Sequence, residues 1–249
     1  MNSDSTVKSE AELQALYGKA KPNSLAKESD CLTPAYQQWI EQAPFMAIAS
    51  LGTGGLDCSP RGDAVGELFR VLDNKTIAIP DRPGNNRLDT LRNIVTDPRV
   101  ALLFLIPGIR ESLRINGTAD IVTDESLVNS FSVNDRKPVT VLLVTIHTIY
   151  FQCGKALLRS KMWDPDAQVN SDNVPTAGEM LKSVMGDFDS NSYDESLAER
   201  QPDVPMMCCG VQQRRVSKPH VPVTRAVICS MQCLRSLRNL MTVVVILAD

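Results

Sequence analysis

Short runs of alternating apolar and polar residues, separated by turn residues, fill the middle of the chain. Alternation of this kind turns one face of an extended segment toward a core, so it is typical of half-buried β-strands. Strands are predicted over residues 45–51, 56–61, 67–72, 76–79, 100–106, 113–122, 139–146 and 148–151. Many short strands with tight turns predict a mainly β fold with helical decoration, built as a small antiparallel barrel.

Helical signals lie mainly before and after these strands. Ser9 followed by Glu12 predicts a capping box for a helix that ends near Gly18. Thr33, which precedes a proline, predicts a second helix that runs to about Ala43. Asp124 predicts the cap of a short helix that runs to about Phe131, and further short helices are predicted at 155–161 and within 171–200. The predicted domains are therefore a helical segment at 1–43 and a barrel domain at 44–200.

Residues 79–94, with the sequence IPDRPGNNRLDTLRNI, predict the end of a strand, a loop and the start of a helix. Pro80 and Pro83 are expected to interrupt regular structure. Either Asn85 or Asn86 is a favourable N-cap for the helix that follows. The predicted apolar stripe of this helix consists of Leu88, Leu91 and Ile94.

A helix N-terminus with two arginines beside it suits a phosphate dianion. The first N–H groups of a helix are free, and the positive end of the helix dipole attracts anions. Arg82 and Arg87 add two cations to this segment. An ordinary capped surface helix with solvated arginines has the same pattern, so the segment alone leaves both interpretations open.

Composition indicates a globular protein. With 249 residues, of which 43% are hydrophobic, the chain can bury a sizeable core. No apolar run approaches the ~20 residues that a membrane-spanning helix needs, and the N-terminal segment lacks the apolar core of a signal peptide. Seven cysteines in irregular spacing fit a reducing compartment better than a disulfide framework. We therefore expect a cytoplasmic protein that does not associate with membranes.

Charge is distributed unevenly along the chain, whose net charge is −3. Residues 1–204 hold 20 basic and 28 acidic side chains, a net charge of −8, which disfavours nucleic-acid binding. Residues 205–249 hold six basic side chains, one acidic side chain and four of the seven cysteines. We interpret residues 201–249 as an atypical tail, either disordered or aberrant. Its cysteines form no paired knuckle, so no metal site is predicted.

Side chains for nucleophilic or metal-dependent catalysis are scarce. The chain holds two histidines, His147 and His220, and it lacks the HExxH and GxxxxGK[ST] motifs. No catalytic residue is assigned, and a cofactor that carries its own chemistry is the economical interpretation. Two further basic sites support a cofactor: Arg61 at a strand end, and Lys155 with Arg159 on one face of a predicted helix. A solvated turn and an ordinary charged helix face are the alternatives.

The order of these segments resembles the flavoproteins related to pyridoxamine 5′-phosphate oxidase, and in particular a bacterial subgroup of FMN-dependent enzymes. The resemblance extends from Ser9 to about Arg200. It rests on SPRGD at 59–63, the segment 79–94, DPRVALLFLIPG at 97–108, ESLRINGTA at 111–119 and FQCGKALLRSKMW at 151–163. The segment 79–94 is the most specific of these.

The resemblance implies an FMN-binding split β-barrel that forms a homodimer with two FMN molecules at the subunit interface. It places the FMN phosphate on Asn85, Asn86 and Arg87, with Arg82 or Arg61 as compensation for a cation that this chain lacks. The other implied contacts to FMN are Ser59, Arg61, the backbone near Pro80 and Asp81, and the closing segment with Gln152, Lys155 and Arg159. Arg114 is implied to serve the flavin of the other subunit.

The resemblance further implies an FMN-dependent oxidoreductase of unknown substrate, with electrons from a donor such as NAD(P)H. In it, Lys155 or Arg159 would lie near the N1–C2=O edge of the flavin and stabilise its anionic reduced state. The sequence ALLRSKMW stands in place of the oxidase's substrate signature, so activity on pyridoxamine phosphate is not expected. The alternatives are a non-catalytic protein of the same fold that holds flavin or haem, and a barrel that accepts a deazaflavin.

Overall fold

The computed structural model describes residues 6–197. These residues belong to two compact units, one that ends at Gln168 and one that begins at Val169, and each unit is described by itself. The tail predicted at 201–249 lies outside the described residues. The domain boundaries predicted at 43/44 and 200/201 stay predictions.

The first unit is built on one seven-stranded sheet in which all paired strands are antiparallel. Its strands are β1 (Phe45–Gly52), β2 (Gly55–Gly62), β3 (Arg70–Asp73), β4 (Thr76–Asp81), β5 (Arg99–Leu105), β6 (Ser112–Val122) and β7 (Thr140–Gln152). Their order across the sheet is β2-β1-β5-β6-β7-β4-β3. β2 and β3 are therefore the edges, and within residues 6–197 no ladder joins them. The predicted mainly β fold with helices is confirmed.

Besides a 3₁₀ turn at Pro165–Ala167, six α-helices decorate the described part of this unit. They are α1 (Glu10–Tyr17), α2 (Pro22–Leu25), α3 (Pro34–Ile40), α4 (Asp89–Thr96), α5 (Glu125–Ser130) and α6 (Lys155–Arg159). Thr33 caps α3 and Asp124 caps α5, as predicted. The capping box predicted at Ser9 is half formed. Ser9 accepts the N–H of Glu12, but the Glu12 carboxylate accepts the N–H of Lys8 in place of that of Ser9.

The main core lies on one face of the sheet because alternate strand residues point to it. Met46 and Ile48 of β1, with Leu102 and Phe104 of β5, are at most 1% exposed. Burial of each such side chain contributes roughly 1.5–3 kcal/mol. Ile94 packs α4 onto the same core. A smaller cluster consists of Ala78, Val128, Phe131 and Val141.

β4 continues through Pro80, although the sequence predicts that the strand ends before it. β3 pairs with β4 only as far as Ala78, so Pro80 is paired on one side, with Val141 of β7. A proline is tolerated where one side of a strand is unpaired, because its missing N–H is not needed there. The longer strand brings Asp81 into register opposite Thr140.

The second unit contains a 3₁₀ turn (Ser171–Asn173) and the helices α7 (Ala177–Met185) and α8 (Ser190–Glu195), which agree with the short helices predicted in this region. A capping box starts α7, and the Gly178 N–H donates to the Asp194 carboxylate to join the two helices. None of the helices within residues 6–197 has the length and apolar character required to cross a bilayer.

Candidate functional site

A row of polar side chains on the edge strand β2 faces the core side of the sheet. Ser59 and Arg61 lie directly opposite Ile48 and Met46, which are core residues of β1. Asp57 precedes them in the same row, since alternate residues of a strand share a face. Polar side chains rarely face a hydrophobic core unless they have hydrogen-bond partners or a functional role. This end of the core is therefore a candidate site.

Helix α4 covers this row and is fixed to it by hydrogen bonds. Thr90, which is 2% exposed, donates to a carboxylate oxygen of Asp57 at 2.7 Å, and Ser59 donates to the same oxygen at 3.0 Å. One turn later, Asn93 donates to the hydroxyl of Ser50 at 3.1 Å. Because each buried polar group has a partner, the network orients the helix without a large desolvation cost.

The N-terminus of α4 differs from its prediction. The helix begins at Asp89, and the residue before it is Leu88, in the left-handed region with φ 59° and 44% exposed, so Leu88 does not join the apolar stripe. The N-cap predicted at Asn85 or Asn86 is wrong. Asn85 accepts the N–H of Arg87 at 3.0 Å, and Asn86 is also left-handed, with φ 57°. No side chain caps α4, so its first N–H groups lack a side-chain acceptor.

Arg87 stands beside this uncapped end. Its side chain is 78% exposed, and its guanidinium pairs with the carboxylate of Asp89, which raises the pKa of Arg87. An exposed ion pair of this kind contributes little to stability, because solvent screens the two charges. The Arg87 guanidinium can therefore exchange Asp89 for another anion at little cost.

A cleft of about 200 Å³ separates the C-terminal ends of β2 and β4. Arg61 and Asp81 face each other across it, with 3.7 Å between guanidinium nitrogen and carboxylate oxygen. Their side chains are 26% and 20% exposed. Burial raises the pKa of Asp81, and the positive charge of Arg61 lowers it by less. Pro80 lines the same cleft through its place in β4.

Arg82 also lines this cleft, but its guanidinium is engaged elsewhere. It donates to the Asp63 carboxylate at 2.9 Å, to the carbonyl of Phe131 at 2.6 Å and to the carbonyl of Glu67 at 3.4 Å. Its side chain is 27% exposed. With several donors in use, Arg82 is a connector between segments, and little of it is left to bind an anion.

The structure thus gathers eight of the predicted residues around α4 and the cleft, which we call the α4 site. Its members are Ser59, Arg61, Pro80, Asp81, Arg82, Asn85, Asn86 and Arg87. Arg61, Arg82 and Arg87 each have an acidic partner within the chain. A phosphate at this site must therefore replace one of those partners.

Four predicted residues form a second set at the junction of β6 and β7, which we call the β6–β7 set. Arg114 donates to the side chain of Asn116 at 3.2 Å and lies over the ring of Tyr150. Gln152 is half-buried at the end of β7, whereas Lys155 and Arg159 are exposed at the two ends of α6. The helix predicted for these two residues is confirmed. Among the described contacts, none joins this set to the α4 site.

Sequence reasoning missed the residues that hold the α4 site together. Asp57 lies two positions before Ser59, so the period of the strand could have placed it in the same row. Thr90 gives no such signal, because its partner Asp57 is set by the packing of α4 on β2. Within residues 6–197, no three His, Cys, Asp or Glu side chains converge as metal ligands.

The family model described as pyridoxamine 5′-phosphate oxidase matches residues 32–153, which include the whole seven-stranded sheet. No curated protein matches the chain. Among solved structures, HupZ of Group A Streptococcus is 19% identical, with TM-score 0.39, and covers 47% of this chain and 91% of its own. General stress protein 26 of Bacillus anthracis is 16% identical, with TM-score 0.36, and covers 46% of this chain and 88% of its own.

Proposed function

We propose a function from one premise: through residues 32–153 the chain belongs to the pyridoxamine 5′-phosphate oxidase family. The proposal is that the protein binds FMN at the α4 site on a split β-barrel and works as an FMN-dependent oxidoreductase. The split barrel would arise where the edge strand β2 approaches β4, since side chains of these two strands already meet across the cleft.

One observation carries the proposal: the uncapped N-terminus of α4 beside Arg87. Free helix N–H groups, the positive helix end and an exposed guanidinium together suit a phosphate dianion. The Asp57–Thr90 hydrogen bond holds this end of the helix in place over β2. Asn85 and Asn86 shape the turn that leads into it. The helix N–H groups and the Arg87 guanidinium are therefore hydrogen-bond donors of the kind that a phosphate requires.

The cost of phosphate binding is small at Arg87 and larger at Arg82. The Arg87–Asp89 pair is exposed, so its loss is readily offset by a charge-assisted hydrogen bond from Arg87 to the phosphate. Arg82 would have to give up several hydrogen bonds to contact the same phosphate. Arg87 is therefore the proposed phosphate ligand, and Arg82 is not.

The β6–β7 set supports a homodimer in the proposal. Among the described contacts, none joins Arg114 or Gln152 to the α4 site of the same chain, and a symmetric dimer presents the same surface of a second chain. We propose that the second copy supplies Arg114, Gln152 and the α6 cations to the FMN bound at the α4 site. Lys155 and Arg159, exposed at the ends of α6, would then stabilise negative charge on the flavin.

When bound, FMN supplies hydride and electron transfer, with NAD(P)H as the proposed type of donor. The protein's own side chains bind FMN and orient it. Arg87 and the first turn of α4 fix the phosphate end, and the cleft between β2 and β4 receives part of the ring and excludes water from it. No protein nucleophile is needed for this chemistry.

The experiment is the visible spectrum of the purified protein, followed by FMN titration of Arg87→Ala. We expect a flavin spectrum, and we expect Arg87→Ala to lower FMN affinity by about tenfold or more with little change in unfolding free energy. Arg92→Ala, an exposed arginine on the same helix, is the matched control and should bind like the wild type. FMN affinity unchanged by Arg87→Ala would refute the site, and a Soret band would refute the cofactor.

A further inference from the structure

We propose that Asp81, Arg61 and Thr140 form a hydrogen-bonding subsite that recognises an imide edge, an N–H flanked by two carbonyls. The inference rests on the proposed function, because the imide in question is the pyrimidine edge of the flavin. It adds the side chain of Asp81, where only a backbone contact is predicted, and the side chain of Thr140 on β7, where no contact is predicted.

The three side chains share the core-facing side of the sheet, where Arg61 and Asp81 line the cleft and Thr140 lies beside Asp81. Asp81 follows Ile77 and Ile79 in the core-facing row of β4. Thr140 is its direct partner on β7, so the two side chains lie on the same face. Arg61 reaches Asp81 from β2, on the opposite wall of the cleft. The apolar row of β4 thus ends in a polar pair at the entrance to the core.

Asp81, Arg61 and Thr140 form no hydrogen bonds with one another. The hydroxyl oxygen of Thr140 is buried and has no hydrogen-bond partner within the described residues. The 3.7 Å between Arg61 and Asp81 is too long for a hydrogen bond. Within residues 6–197, the Arg61 guanidinium donates only to the carbonyl of the adjacent Pro60, at 3.3 Å. The described part of the chain offers the Asp81 carboxylate no hydrogen-bond donor.

Unsatisfied polar groups of this kind are costly where water is excluded. A buried hydroxyl without a partner loses the hydrogen bonds that water would give it. Asp81 is disfavoured as an anion by its burial, which raises its pKa, so a donor that reaches its carboxylate gains more than it would at the surface. A ligand that forms hydrogen bonds with all three side chains therefore gains binding free energy.

The arrangement selects a donor between two acceptors. Asp81 accepts, whereas Arg61 and Thr140 have hydrogens to donate. The complementary ligand edge presents an N–H to Asp81 and a carbonyl oxygen to each neighbour. The flavin ring carries this pattern at N3–H, between its C2 and C4 carbonyls. A simple ion pair that closes the gap between β2 and β4 would show no preference for such an edge.

The test compares FMN with 3-methyl-FMN, which lacks the N3 hydrogen but keeps the phosphate. We expect the wild type to bind 3-methyl-FMN about tenfold or more weakly than FMN. In Asp81→Ala this difference should shrink to about twofold, because the acceptor is absent. Asp81→Asn, which keeps an acceptor of the same shape, should fold like the wild type and retain part of the difference.

Asp120→Asn, at an exposed carboxylate of β6, is the control and should keep the full preference for FMN. Thr140→Val should weaken binding of both flavins, because the hydroxyl faces a carbonyl and not N3. Equal affinity of the wild type for FMN and 3-methyl-FMN would overturn this subsite while leaving the FMN proposal intact. Binding of neither flavin would overturn both.

Discussion

Arg82 connects three segments of the first unit through one guanidinium. It contacts the loop after β2 at Asp63, the following turn at Glu67 and the end of α5 at Phe131. Hydrogen bonds from a charged donor are individually worth about 1.5–3 kcal/mol, and carbonyl groups left unpaired add to the loss. Arg82 therefore stabilises the fold around the α4 site by holding these three segments together.

Arg82→Met is expected to lower the free energy of unfolding by about 2–4 kcal/mol. It keeps most of the volume of the side chain but removes every donor. Urea denaturation of this variant and of the exposed control Arg92→Met measures the difference. A loss of stability no greater than in the control would show that the connections through Arg82 are not stabilising.

The pKa of Asp97 is set by a neighbour in the sequence, Arg99. Its carboxylate accepts hydrogen bonds from the side chain and the backbone N–H of Arg99, which hold the pKa of Asp97 at about 2, below its ordinary value of 3.8. A carboxyl with a lowered pKa stabilises the fold above its ordinary value, and this contribution is lost as pH falls from about 3.8 to about 2.

The stability difference between the wild type and Asp97→Asn should therefore be full near pH ~6 and should shrink as pH falls toward about 2. Denaturation at several pH values measures this difference, and an NMR titration of the Asp97 carboxyl carbon measures its pKa. A titration midpoint at the ordinary value would contradict the account.

At the scale of elements, the position of α4 over the β1–β2 hairpin decides whether the α4 site exists. Gly52 at the end of β1 lets the helix approach, because a Cβ there would lie 2.9 Å from the Cα of Asn93. That is closer than real Cβ atoms come to backbone, so the helix would have to move. The Asn93–Ser50 and Thr90–Asp57 hydrogen bonds depend on the same close approach.

Gly52→Ala is expected to cost about 1–3 kcal/mol of stability and to weaken FMN binding, because α4 is displaced from β2. Gly54→Ala, in the adjacent turn, meets nothing within 4 Å and is the matched control. Urea denaturation and FMN titration of both variants measure the two effects. Normal stability of Gly52→Ala would mean that the hairpin and helix are not in tight contact.

Element types were predictable from sequence, but the details of the α4 site were not. The alternation in β1 and β5 predicts their core-facing rows, and Thr33 and Asp124 predict their helix starts, because these signals are local. The start of α4 escaped prediction because Leu88 adopts a left-handed conformation that local propensity disfavours for a leucine. Pro80 stays in a strand only because β3 has already ended beside it.

At the scale of the whole molecule, the proposal requires residues from two subunits at each FMN. The α4 site and the β6–β7 set share no described contact, and the resemblance assigns Arg114 to the flavin of the other subunit. Strand patterns alone cannot predict this division, because it depends on how two copies meet. The dimer is therefore tested by complementation.

Arg87→Ala and Arg114→Ala are each expected to bind FMN weakly as separate homodimers. When their subunits are mixed and allowed to exchange, one site of each mixed dimer contains both arginines, so about a quarter of all sites should regain normal affinity. Light scattering establishes the dimer, and FMN titration counts the recovered sites. No recovery in a confirmed mixed dimer would place Arg114 outside the partner's site.

The central claim is that the uncapped end of α4, with Arg87, binds the phosphate of FMN. Calorimetric titration with FMN and with riboflavin, which has the same ring and no phosphate, tests it most directly. The account predicts that the wild type binds FMN at least about tenfold more tightly than riboflavin, and that Arg87→Ala removes most of this difference. Equal affinity of the wild type for FMN and riboflavin would contradict it.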